Sequence, residues 1–168
     1  MDLALELLED PAYRHVLLNH LPSTGLAIAW LVLAWAMVER RWSSVCFGLV
    51  LVMSMSGSSF LVTSAGDDAH PFIFDTLDGP GREWLDYHTH LSDRWRHVLS
   101  ANAVVTALAI AAGVWRERLR TSVGVVVLVS TLAGLVAVSV IAEAGGKIRH
   151  PEFRLSDPPV FDSPGRLR

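Results

Sequence analysis

The chain has 168 residues, a formal net charge of −3, seven histidines and a single cysteine; 51% of its residues are hydrophobic and 18% charged. One Cys excludes a disulfide scaffold, and the slight acidic balance excludes a basic nucleic-acid-binding surface. The charge is also unevenly sorted: the runs 15–38, 42–66, 97–115 and 121–142 carry no Asp, Glu, Lys or Arg, so all 31 charged residues fall in the other 78 positions, which excludes a secreted soluble globule.

A helix crossing a hydrocarbon layer about 30 Å thick needs ~20 apolar residues. Backbone polar groups in lipid restrict each crossing to a helix or a closed barrel. The four runs therefore predict an all-α, integral membrane four-helix bundle over residues 1–150, with spans at about 15–38, 42–66, 97–115 and 121–142 and an outer C-terminal tail at 151–168.

In chain order, Met1 to Asp10 carries four carboxylates and no base, unlike the basic start of a cleavable signal. Segment 2–9 reads as a short amphipathic helix with Leu3, Leu7 and Leu8 on one side, ended by Pro11. On the first span His15 and His20 are five residues apart, about 140° around a helix axis, so they do not share a face. His20, with Thr24 one turn on, is the expected inward residue, and His15 is expected to cap the helix or sit in the interface.

The turn Glu39-Arg40-Arg41 follows the first span, and Arg116-Glu117-Arg118-Leu119-Arg120 joins the last two. Short Arg-rich connections are the ones retained in the cytoplasm. Both termini and the long connection 67–96 are therefore expected outside, periplasmic if the membrane is a bacterial inner membrane. The second span's outer half, Ser54 to Ser59, is small and weakly polar, as are Gly134 and Ser139 in the fourth; such residues allow close helix approach and leave room for a flat ligand. Trp42, Trp95 and Trp115 lie at or next to run ends, where interfacial indoles are expected.

Gly66 to Pro71 and Asp78-Gly79-Pro80-Gly81 carry turn chemistry. From Arg82 nothing breaks a helix until the third span is complete, so the third helix is expected to stand proud of the membrane. Asp86, His90, Asp93 and His97 fall on one stripe of it, at i, i+4, i+7 and i+11. Alternating carboxylate and imidazole suits a first-row metal or its supporting hydrogen bonds, and equally suits a solvated polar face. His88 lies on another face. Glu143 abuts the fourth span, and Gly145-Gly146 reads as that helix's stop.

His15-Val-Leu-Leu-Asn-His20-Leu-Pro22 resembles the "HPxxVHFPI"-type opening of the small four-span bacterial membrane proteins grouped as the DUF2231 family. Thr63 to Asp68 is similar to that family's "TG-acidic" exit from the second span, His88-Thr-His90-Leu-Ser-Asp93 to its "HExxAE" segment, and Gly145 to Glu152 to its closing "GG…H" element. Two departures stand out: Val16 where the family often has Pro, and Thr89 where it usually has an acid. The resemblance covers roughly residues 11–153. It implies a membrane protein without a settled activity, associated in some contexts with cytochromes and with haem or metal binding.

The functional expectation is a redox-associated cofactor protein without independent enzymatic activity. Haem b would take its axial ligands from His20, His97 and His150 near the outer mouth. The alternative is a Cu, Zn or Fe ion held among His15, His88, His90, Asp86, Asp93 and Glu143. Beyond the lipid bilayer, the expected partners are a periplasmic cytochrome or other subunits of a membrane redox complex. The competing reading is a cofactor-free structural or assembly subunit docking a periplasmic partner, supported by the lack of a P-loop, nucleophile elbow or thiol pair and of any charge within a span.

Overall fold

A computed structural model describes residues 9–160, and every regular element in them is helical. Four helical stretches, Pro11–Glu39, Trp42–Phe74, Gly79–Trp115 and Glu117–Arg149, are long and apolar enough to cross a membrane, which makes the chain a multi-pass membrane protein. The amphipathic helix expected before Pro11 lies almost wholly outside the described residues.

The first stretch opens as α1 (Pro11–Asn19), with the Asp10 carboxylate accepting from the Ala12 and Tyr13 amides and Pro11 in the first turn. Pro11 thus starts a helix, since a proline at the first helical position forfeits an amide that would be unpaired anyway. At Leu21–Gly25 the helix widens to a π-turn, in which the Gly25 amide reaches the His20 carbonyl at 2.9 Å. Pro22, buried there, has no amide to donate, and the wider turn accommodates it. Helix α2 (Leu26–Glu39) follows and ends at Arg40, the only described non-glycine residue with a left-handed backbone, φ 57°.

The second stretch is α3 (Trp42–Gly57) and α4 (Ser59–Phe74), separated at Ser58, whose hydroxyl donates to the Met55 carbonyl at 2.6 Å. Helix α4 runs through Asp67, Asp68 and Pro71, so the turn expected there is displaced to the short link before Asp78. Outside the hydrocarbon layer, charges on an exposed helix face cost little, and they do not end the helix.

Helix α5 (Gly79–Trp115) has 37 residues, about 55 Å at 1.5 Å per residue and well beyond a membrane's apolar thickness, as its unbroken sequence predicts. Helix α6 (Arg120–Arg149) passes straight through Gly145-Gly146, correcting the stop expected there. The tail then turns back: Arg154 donates to the Lys147 and Ile148 carbonyls at 2.7 and 2.6 Å and pairs with Asp78 at 2.7 Å. One guanidinium thus satisfies the end of α6 and ties it to the start of α5. Its hydrogen bond holds the Asp78 carboxyl below the ordinary carboxylate range.

Along α2, Leu26, Ala29, Leu33 and Ala36 recur at helical spacing and meet Val45, Leu49 and Val52 of α3, Leu99 and Ala109 of α5, and Val127 and Val138 of α6. Gly48 lets α3 approach closely, because a Cβ there would stand 2.8 Å from the Leu33 Cα. The outward faces carry exposed Ile28, Leu31, Trp35, Val38, Phe47, Leu108 and Val136, which suits contact with lipid. A second, smaller core joins the upper ends of α5 and α6 through Trp84, Leu91 and Ala144, flanked by Tyr87, Trp95 and Ile148.

Candidate functional site

At the end of the bundle remote from the two Arg-rich turns, the helices sort into pairs. Helix α1 packs on α4 and α5 on α6, while contacts between the two pairs are sparse. Each pair contributes one histidine to the space between them.

His15 of α1 sets Nδ1 3.0 Å from the Val62 carbonyl oxygen of α4, and His88 of α5 sets Nδ1 3.0 Å from the Ile141 carbonyl oxygen of α6. A carbonyl only accepts, so Nδ1 carries the hydrogen in each ring and the neutral imidazole keeps its lone pair on Nε2. Among the described residues neither Nε2 has a hydrogen-bonding partner. The ring centres are 6.4 Å apart and the ring planes stand at 89°.

Glycines make both contacts possible. A Cβ at Gly66 would stand 2.9 Å from His15 Nδ1, and one at Gly145 would stand 3.2 Å from His88 Nδ1 and Cε1. Gly145 therefore belongs inside the helix as the seat of an imidazole, which accounts for a helix that runs on through a glycine pair.

The other predicted residues lie elsewhere. His20, at the α1 end, is exposed, reversing the expected inward choice between it and His15: with about 140° between them only one can face the bundle, and the Val62 carbonyl takes His15. His97 is exposed on α5. His150 is exposed beyond α6, bonded to Glu152 at 2.9 Å and stacked on Phe153. The structure thus does not gather His20, His97 and His150 into one site. On the α5 stripe, Asp93 pairs with Arg96 at 3.6 Å, while Asp86 and His90 are half-buried. Glu143 is held by Lys147 at 2.8 Å. Among the described residues no three His, Cys, Asp or Glu side chains converge as a bare metal ion would require.

Sequence reasoning passed over Asn102. It is buried at 2% exposure between α3, α5 and α6, where its amide nitrogen donates to Ser56 Oγ at 2.8 Å and Thr131 Oγ1 at 3.3 Å, and its oxygen accepts from Ser130 at 2.7 Å. A lone amide in an otherwise apolar run was the available signal.

Scans of family models, curated proteins and solved structures each return no match for this chain.

Proposed function

We propose that this chain is a b-type haem protein of a membrane redox system, in which His15 and His88 would hold the iron. The observation that carries this reading is the paired imidazoles: one from each helix pair, each anchored through Nδ1, with an Nε2 that has no hydrogen-bonding partner among the described residues. Were both Nε2 atoms to hold one ion, bonds of about 2.0–2.1 Å plus about 1.1 Å from each nitrogen to its ring centre would set the ring centres about 6.3 Å apart. The observed separation is 6.4 Å. Packing between the two pairs is sparse, so a flat macrocycle would enter along that boundary, and a carbonyl-anchored Nδ1–H is the usual outer support of a ligating histidine. The absence of a converging triad among the described residues favours this two-ligand arrangement over a bare ion.

When bound, haem supplies one-electron exchange. The chain's own part is to fix both tautomers, through the Val62 and Ile141 carbonyls, and to hold the two ligands near one membrane face rather than at its midplane. Asp67 and Asp68 follow Gly66, and Arg14, beside His15, pairs with Asp68 at 2.8 Å, so the site borders the polar zone. That position suits exchange with a periplasmic cytochrome or with neighbouring subunits of a redox complex in a bacterial inner membrane.

The test is a visible spectrum and metal analysis on one sample purified after expression with haem supplied. Wild type is expected to show a Soret band and low-spin bands. His15→Ala and His88→Ala should each lose the low-spin bands, whereas His20→Ala, His97→Ala and His150→Ala should retain them. Wild type without a Soret band would sink the reading and return the chain to the structural or assembly class.

A further inference from the structure

The two histidine seats are built the same way. His15 bonds the carbonyl of Val62 and packs on Gly66, and His88 bonds the carbonyl of Ile141 and packs on Gly145. In both cases the glycine stands four residues after the carbonyl. On a helix, the side chain at i+4 leans back over the turn before it and covers the carbonyl at i. A glycine there uncovers that oxygen, whose second lone pair can take an imidazole N–H without breaking the helix's own hydrogen bond. The ring is then held twice: its N–H points at one oxygen, and its edge rests against a backbone with no Cβ. Rotation about the axis through Nε2 would break the first contact or press on the second.

We infer, building on the haem assignment above, that Gly66 and Gly145 are positioning residues that would hold two iron-bound imidazoles in mutually perpendicular planes. The observed angle between the rings is 89°. Crossed imidazoles act equally on the two iron orbitals that parallel imidazoles split apart. Ferric haem held this way gives a strongly anisotropic low-spin resonance dominated by one low-field feature, whereas parallel rings give a rhombic spectrum with three resolved features.

The experiment is low-temperature electron paramagnetic resonance on the oxidised, haem-loaded full chain. Wild type is expected to show the single low-field feature. Gly145→Ala and Gly66→Ala, which press a methyl group on one ring each, should move intensity from it into rhombic or high-spin signals. Gly57→Ala should leave the spectrum unchanged, because nothing lies within 4 Å of a Cβ there. A rhombic wild-type spectrum in protein with a Soret band would overturn the crossed geometry while leaving the haem assignment intact. Unchanged spectra in both glycine variants would overturn the positioning role. Absence of a Soret band would remove both inferences. If either glycine variant fails to fold, the wild-type spectrum still decides the ring geometry.

Discussion

Asn102 shows how one side chain can organise a span that otherwise reads as plain hydrocarbon. Its amide joins Ser56, Ser130 and Thr131, so three helices share one satisfied polar node in the bundle interior. Interhelical hydrogen bonds in membrane proteins are individually modest, and truncating this one also opens a small cavity. Asn102→Ala is therefore expected to destabilise the fold by about 1–2 kcal/mol, read from denaturant unfolding in detergent. A null effect would mean that water or the neighbouring hydroxyls replace the amide. The same scale shows where legibility stopped. Seven histidines were visible at once, yet which two meet depends on the carbonyls of Val62 and Ile141, and every residue type carries a carbonyl. Nothing in the identity of Val62 or Ile141 marks it as a partner.

At the scale of the elements, charge-free runs located four spans because the cost of burying charge in hydrocarbon is large. They did not locate the helix ends, because that cost disappears outside the membrane. Helix α4 continues over Asp67 and Asp68 to Phe74, and α6 continues to Arg149. The start of α5 was missed by a turn: Asp78 to Gly81 read as a turn with the helix from Arg82, but Asp78 accepts from the Gly81 amide at 2.9 Å as a helix cap, with a proline in the first turn. The glycine pair in α6 misled because its two members do different things. A Cβ at Gly145 would crowd His88 at 3.2 Å, whereas one at Gly146 would make an ordinary contact with Phe153 at 3.9 Å. Gly146→Ala is accordingly expected to stabilise the protein by up to about 1 kcal/mol through helix propensity, and Gly145→Ala to destabilise it. Thermal unfolding of the two variants side by side checks this; the same sign for both would refute the separation of roles.

For the whole molecule, the architecture is two helical hairpins side by side, each closed by a short Arg-rich turn and each contributing one member of the His15–His88 pair at its far end. By the positive-inside tendency, the Arg content of those turns predicts that they face the cytoplasm. With Cys46 replaced by Ala, a cysteine at Asp75 should react with a membrane-impermeant thiol reagent added to intact cells, and one at Glu117 only after lysis. The opposite pattern would put the histidines on the cytoplasmic side.

Arg40 sharpens that picture. The turn between α2 and α3 requires a left-handed backbone at this residue, a conformation that costs an L-amino acid about 1–2 kcal/mol and costs glycine almost nothing. By conformation alone, glycine is the better residue. Backbone strain, however, is felt only once the turn has closed, whereas a cation acts earlier, while the nascent chain is being threaded into the bilayer and its direction is decided. If this turn faces the cytoplasm, as its Arg content predicts, the residue at the hairpin tip serves insertion at the cost of backbone strain at φ 57° in the finished fold.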